Sequence, residues 1–203
     1  MLNRFSCFAA MLTLVLVTGC TDVEHDHDHH DHEVMTTIML TFTSQATDEV
    51  VEAQWADIED DGDPVIDDID LTNGETYDLS IAIWNELEDP AEEVTPEILE
   101  EALEHQMFVY GSAVDGPASD SADAVVLHDY VDMDADGNPL GLENTITTIE
   151  SGTGVFSLLL RHMPYQDGNS VKTSTLADDF LASGESALPG ASDFAINFDL
   201  EVL

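Results

Sequence analysis

The chain has 203 residues, 43% of them hydrophobic, so it is long enough to bury a substantial core. Its 44 acidic residues face only 3 basic ones, which gives a formal net charge of −41. A field of this sign repels nucleic acid and anionic lipid head groups and attracts cations, so we exclude nucleic acid as a partner.

The N-terminal segment predicts a bacterial lipoprotein signal. Arg4 precedes an apolar stretch at residues 5–17, which is too short to span a bilayer and is typical of a signal peptide. The stretch ends in Val17-Thr18-Gly19-Cys20, which resembles the lipobox of bacterial lipoproteins. In such proteins the cysteine carries acyl chains such as palmitate. We therefore predict a signal peptide at residues 1–19 and a lipid anchor on Cys20.

Two neighbouring features refine this prediction. Cys7 leaves with the signal peptide and Cys20 carries the lipid, so we expect neither a disulfide nor a cysteine-based zinc site in the domain that follows. Thr21 stands where lipoproteins of the inner membrane carry aspartate. The predicted location is therefore the cell envelope, with the anchor in the outer membrane.

Residues 24–33, here called the arm, alternate histidine with acidic residues inside a predicted flexible tether at residues 20–33. Imidazole nitrogen is a good ligand for Zn²⁺ and similar ions, and carboxylates add negative charge. The arm therefore predicts divalent-metal binding, with Zn²⁺ preferred. The alternative is a solvated spacer that holds the domain off the membrane. The expected ligands are His25, His27, His29, His30 and His32, with Asp26 and Asp28.

Residues 34–203 predict a single β-rich domain. At residues 37–43 the apolar side chains Ile38, Leu40 and Phe42 alternate with threonine and methionine, as a half-buried strand requires. Turn signals such as Asn73-Gly74 separate most of the further candidates. We predict a mainly β fold, an immunoglobulin-like antiparallel β-sandwich with one short helix. The further strands are expected at 50–56, 76–84, 106–111, 124–131, 145–150, 155–162 and 194–202.

The predicted helix begins near Thr95, which could cap it, with Pro96 at its first position, and it ends at His105. Residues 171–192 are rich in serine and alanine and are expected to form an irregular connection. The buried stripe of the helix is expected to comprise Ile98, Leu99, Ala102 and Leu103.

Six segments of the domain resemble those of a protein family. They are IMLTFT at 38–43, NELEDPAE at 85–92, EHQ at 104–106, DADGNPLGL at 134–142, LRHMP at 160–164 and SDF at 192–194. Together they resemble short envelope lipoproteins of marine bacteria that often carry His/Asp/Glu-rich tails. These proteins are often labelled type 1 periplasmic binding fold superfamily proteins. That label implies a two-lobed α/β receptor, whereas the residues here predict a β-sandwich. The resemblance implies no particular activity.

One acidic loop has the ligand spacing of an EF-hand calcium site. Its flanks are predicted strands rather than helices, and Pro139 stands where that loop prefers an aliphatic residue. The alternative is a hairpin turn rich in aspartate and glycine. The calcium ligands would be Asp132, Asp134, Asp136, Asn138 and Glu143.

The domain contains three histidines, His105, His128 and His162. His105 and His162 could form a second metal site with Glu86 or Glu104 if the fold brings them together, and the alternative is that they are structural. Beside His162, Arg161 is expected to form a structural ion pair.

The sequence does not favour catalysis. It lacks the G-x-S-x-G, HExxH and P-loop motifs, so we predict that the chain is not an enzyme. We expect a lipid-anchored protein that binds divalent metal through the arm and passes it to an outer-membrane transporter. The alternative is a calcium-stabilised acidic interaction module in which the arm is a spacer.

Overall fold

A computed structural model describes residues 34–59 and 62–203. The predictions for the signal peptide, Cys20 and the arm lie outside the described residues. Within the described residues, no helix is both long and apolar enough to cross a membrane.

The chain is mainly β, as predicted, and every strand expected from the sequence is present to within a few residues at its ends. The described residues form thirteen strands and two α-helices, with one 3-10 turn at Glu185–Ala187. The strands are β1 Thr37–Ser44, β2 Val50–Ala56, β3 Val65–Ile66, β4 Ile69–Leu71, β5 Thr76–Asn85, β6 Glu92–Glu93, β7 His105–Tyr110, β8 Val114–Gly116, β9 Ser119–Asp120, β10 Val126–Tyr130, β11 Glu143–Thr148, β12 Gly152–His162 and β13 Ala191–Val202. The helices are α1 Thr95–Glu100 and α2 Leu176–Ser183.

The strands pair into two sheets, as a sandwich requires. The larger sheet has the order β3-β2-β1-β5-β11-β10-β8-β9, with β6 also paired to β5. The smaller sheet has the order β4-β13-β12-β7. Most described pairs are antiparallel, but β8 runs parallel to β10 and β4 runs parallel to β13.

The main core lies between the sheets. Ile38, Leu40 and Phe42 of β1 are fully buried, so the predicted alternation on this strand is confirmed. Phe42 meets Phe156 of β12 edge to face, with ring centroids 6.1 Å apart. This contact joins the two sheets, and geometry of this kind is the one aromatic pairs prefer.

A second apolar cluster covers the outer face of the smaller sheet. Phe108 of β7 and Leu159 of β12 point away from the main core, because neighbouring side chains on a strand face opposite sides. Phe180 of α2 packs on Phe108 with centroids 5.2 Å apart. Here β7 and β12 are therefore buried on both faces.

The predicted helix is present, but its details differ from the prediction. It has six residues, and Val94 rather than Thr95 is its N-cap. The hydroxyl of Thr95 instead accepts a hydrogen bond from the backbone N–H of Ile83, on the neighbouring β5. Ile98 is buried, whereas Leu99 is 59% exposed, so the predicted burial of Leu99 is wrong. A helix of fewer than two turns presents only a narrow face to the core.

The connection between β12 and β13 is more ordered than its composition indicates. It contains α2, whose buried residues Leu176, Ala177 and Phe180 have the spacing of one helical face. Few other apolar residues in this stretch reinforce that pattern, which is why the sequence predicted an irregular connection.

Candidate functional site

Two histidines lie side by side at one end of the smaller sheet. His105 begins β7 and His162 ends β12, and the two residues are directly opposite each other in the antiparallel pair. Opposite residues of such a pair project from the same face. Their imidazole rings stack with centroids 4.5 Å apart and planes inclined by 14°. The fold therefore brings together the two histidines that the sequence singled out.

The third member of the cluster is Glu101, in the turn that follows α1. Its Oε2 lies 3.9 Å from Nδ1 of His105, and its backbone oxygen lies 3.3 Å from the same nitrogen. One potential ligand atom from each of Glu101, His105 and His162 lies within 4.8 Å of the other two. Two imidazoles and a carboxylate form a donor set typical of zinc sites.

His105 is held in the neutral form that metal binding needs. The side chain is fully buried. Burial, followed by repulsion from His162, lowers the pKa of His105 from 6.5 to about 4. At neutral pH one ring nitrogen therefore keeps its lone pair, which is the state in which imidazole binds a metal.

The cluster has to rearrange before it can hold an ion. In a tetrahedral site with bonds of about 2.0 Å, the ligand atoms lie about 3.3 Å apart. An ion also lies close to the plane of each imidazole that binds it, and two stacked parallel rings share no such position. His162 therefore has to turn out of the stack. Glu101 can follow, because its side chain is 31% exposed.

A buried acidic residue, Asp193, lies beside the cluster, on the Nε2 side of His105. Its Oδ2 lies 3.7 Å from Nε2 of His105, and its side chain is 2% exposed. Asp193 occupies an irregularity of β13. Leu160 pairs with Phe194 and Arg161 pairs with Ser192, so no residue of β12 lies opposite Asp193. This extra residue is a β-bulge, a feature that re-aims a side chain.

The acidic loop that resembles an EF-hand connects two strands, β10 and β11, so it is a hairpin connection. Oδ1 of Asp134 accepts hydrogen bonds from the backbone N–H groups of Asp136 and Asn138, each at 2.9 Å. The carboxylate of Asp132 accepts two more, from the N–H groups of Gly141 and Leu142. The side chains of Asp136 and Glu143 are exposed.

The same loop also binds a cation supplied by the chain itself. Nζ of Lys172 lies 3.1 Å from Oδ2 of Asp134, and both side chains are fully buried. Burial alone would raise the pKa of Asp134, but the hydrogen bond from Asn138 and the pairing with Lys172 hold it below its ordinary value. A lysine ammonium therefore stands where a calcium ion would need oxygen ligands. The calcium site stays a prediction that this geometry does not support.

The remaining predicted residues lie elsewhere. Glu86 accepts a hydrogen bond from the hydroxyl of Thr37, and Glu104 accepts one from the backbone N–H of Tyr165. Neither belongs to the histidine cluster in the described structure. Nε2 of His128 lies 2.9 Å from Oδ1 of Asn144, on the neighbouring strand. His128 is therefore a structural histidine.

Sequence reasoning missed Glu101 and Asp193. A signal for Glu101 was present, because it precedes His105 by four residues in a helical segment, and such residues share one face of a helix. Asp193 left no such signal. It is one of 44 acidic residues, and only the bulge sets it apart.

Comparison with protein-family models, with curated proteins and with solved structures finds no match for this chain. The resemblance to short envelope lipoproteins therefore remains a prediction.

Proposed function

We propose that this chain is a lipid-anchored envelope protein that binds a divalent metal ion of the Zn²⁺ type. In this proposal the arm at residues 24–33 captures the ion. The cluster of Glu101, His105 and His162, here called the domain site, holds it. The chain would then deliver the bound ion to an outer-membrane importer.

The observation that carries the proposal is the pairing of His105 with His162 beside Glu101. The domain has only three histidines, and two of them share one site with a carboxylate. His105 is buried and neutral at physiological pH, which is the protonation state in which imidazole binds a metal. The formal net charge of −41 adds a long-range attraction for any cation.

The arm and the domain site should bind the metal ion with different affinities. Ordering a flexible arm around an ion costs conformational entropy, so its affinity should be modest and its selectivity poor. The domain site is held by β7, β12 and the turn after α1, so less entropy is lost there on binding. We therefore expect the domain site to be the tighter of the two.

The test is isothermal titration of Zn²⁺ into the full chain in detergent micelles. An arm-silenced variant carries glutamine in place of His25, His27, His29, His30 and His32, which keeps the length and removes the imidazoles. We expect this variant to retain one bound zinc ion. Adding His162→Ala should abolish that binding, because the site then keeps a single imidazole.

The matched control is His128→Gln in the same arm-silenced chain, since it removes a domain histidine outside the site. It should bind zinc like the arm-silenced parent. Near-UV circular dichroism of each variant shows whether the sandwich is intact. Zinc binding that disappears when only the arm is changed would overturn the domain site, and a full chain that binds no zinc would overturn the whole proposal.

A further inference from the structure

We propose that Lys172 and Asp134 form an intramolecular isopeptide bond, an amide that joins Nζ of the lysine to Cγ of the aspartate. The structure describes the two residues before this reaction, as a buried ion pair with Nζ 3.1 Å from Oδ2. The inference goes beyond the proposed function and does not depend on it, because neither residue belongs to the domain site.

The two reacting groups are held together and shielded from water. Both side chains are 0% exposed. Folding has therefore already supplied the entropy cost of bringing an amine and a carboxylate into contact. Well-oriented intramolecular reactions of this kind reach effective molarities of about 10⁵ to 10⁸ M. Such proximity can drive amide formation between two groups that do not react with each other in dilute solution.

The amine becomes a nucleophile by passing a proton to its partner. Burial is the largest influence on the pKa of Lys172 and lowers it below its ordinary value. A desolvated lysine amine is a known type of activated nucleophile. Transfer of one proton from Nζ to Oδ2 of Asp134 produces a neutral amine beside a carboxylic acid, which costs less to bury than two ions. This neutral pair is a minor form, but each molecule has to react only once.

The hairpin loop stabilises the intermediate of the reaction. When Nζ attacks Cγ, negative charge develops on Oδ1 of Asp134. That oxygen accepts hydrogen bonds from the backbone N–H groups of Asp136 and Asn138, each at 2.9 Å. Two backbone N–H groups directed at one such oxygen form an oxyanion hole. They favour the carboxylate of the ion pair and the tetrahedral intermediate alike.

The reaction needs no other reactant. The Nζ–Cγ bond forms, the Cγ–Oδ2 bond breaks, and Oδ2 leaves as water with two of the ammonium protons. The remaining proton stays on the amide nitrogen, which can still donate to the backbone oxygen of Ala102, 2.8 Å from Nζ. Two opposite charges are thereby removed from the interior, where burying charge is unfavourable.

The bond would make a structural contact permanent. It joins the β10–β11 hairpin loop to the connection before α2, two segments that the ion pair already holds together. A cross-link stabilises a fold because it limits the conformations of the unfolded chain, as a disulfide does. Both cysteines of the chain, Cys7 and Cys20, precede the domain at residues 34–203. An isopeptide bond supplies the same constraint without cysteine.

Trypsin tests the inference, because the chain has only three cleavage sites, after Arg4, Arg161 and Lys172. The full chain is kept folded at neutral pH, then denatured in urea and digested. Since trypsin does not cleave after a lysine whose Nζ is an amide, residues 162–203 should stay uncut and attached to the fragment that ends at Arg161. Further digestion after glutamate should leave residues 105–143 joined to residues 162–185. Mass spectrometry should find this product lighter by one water molecule than the two free peptides together.

Two variants are the controls. Lys172→Arg keeps a cation but removes the nucleophile, because a guanidinium stays protonated. Its digest should release residues 162–172 and 173–203, and Asp134→Ala should do the same. Near-UV circular dichroism shows whether each variant has folded, and the digest of the parent decides the question by itself. Complete cleavage of the parent after Lys172 would overturn the inference. A bond from Lys172 to any other acidic residue would overturn the assignment of Asp134, and zinc binding would be unaffected by either result.

Discussion

Nζ of Lys172 lies 3.1 Å from Oδ2 of Asp134 and 2.8 Å from the backbone oxygen of Ala102. These contacts join three segments that are distant in sequence: the turn after α1, the β10–β11 hairpin loop and the connection before α2. Lys172 is the only lysine of the chain. In so acidic a protein, its burial in this one place indicates a structural role for the ammonium group.

We expect Lys172→Met to destabilise the fold by roughly 3–5 kcal/mol, because it leaves the buried carboxylate of Asp134 without its counter-charge. Urea unfolding followed by tryptophan fluorescence measures the change. The double variant Lys172→Met with Asp134→Asn should recover part of the loss, since an asparagine oxygen can still accept the loop N–H groups. A single variant as stable as the parent would show that the pair contributes nothing.

The strands were predictable because their signal is local. In β1 buried Ile38, Leu40 and Phe42 alternate with other residues, and in β2 Val51, Ala53 and Trp55 alternate with two polar residues. The pair Asn73-Gly74 marks the turn before β5. Three strands, β3, β6 and β9, have only two residues each, which is too few to show an alternation of apolar and polar residues. Such strands exist only because a longer neighbour offers backbone partners.

The site was predictable in part. Histidine is rare in the domain, so His105 and His162 stand out. Each lies at one end of a strand, but the sequence does not specify that these two strands pair with each other. The acidic residues that lie next to these histidines could not be identified from the sequence, because the chain has 44 acidic residues and no pattern distinguishes one from another. Selection of Glu101 and Asp193 depends on the helical turn and on the bulge, which are properties of the folded chain.

Metal binding should break the stack of His105 and His162. The two rings are nearly parallel, with centroids 4.5 Å apart, and an ion cannot lie in both planes at once. We expect zinc to change the ring-proton chemical shifts of both histidines, because each loses the ring current of the other. Two-dimensional NMR of the arm-silenced chain with and without zinc measures this. Zinc binding with the ring shifts and inter-ring contacts preserved would contradict the rearrangement.

Acid should destabilise the fold through His105. Its pKa is about 4 in the folded protein and 6.5 without the fold, mainly because burial disfavours the charged ring. Between these values the unfolded chain binds a proton that the folded chain does not. The contribution is therefore absent above pH 6.5, grows as the pH falls and is complete below about pH 4, where it reaches roughly 3 kcal/mol.

The comparison that isolates this effect is His105→Gln against the parent, both unfolded in urea at several pH values between 7 and 4. Glutamine does not titrate, so the variant should lose less stability on acidification, whatever its stability at pH 7. The pKa of His128 is also lowered by burial, and that histidine is present in both chains, so its contribution cancels. Parallel pH profiles would contradict the low pKa of His105.

Arg161 should stabilise the loop before β13 through carbonyl groups more than through its ion pair. Its guanidinium donates hydrogen bonds to the backbone oxygens of Leu188, Pro189 and Gly190, at 2.7–3.0 Å. It also pairs at 3.1 Å with Glu185, whose side chain is 53% exposed. Exposed ion pairs are worth little, whereas a buried carbonyl that loses its donor is costly.

We therefore expect Arg161→Lys to cost about 3 kcal/mol, because a single ammonium cannot reproduce the planar set of donors, and Glu185→Gln to cost less than about 1 kcal/mol. Urea unfolding gives both values, and amide hydrogen exchange should show faster opening near residues 185–190 only in the lysine variant. This loop adjoins His162, since a Cβ on Gly190 would overlap the carbonyl oxygen of His162. Opening of the loop should then weaken zinc binding at the domain site as well. A loss for Arg161→Lys no larger than that for Glu185→Gln would contradict the main role assigned to the carbonyl contacts.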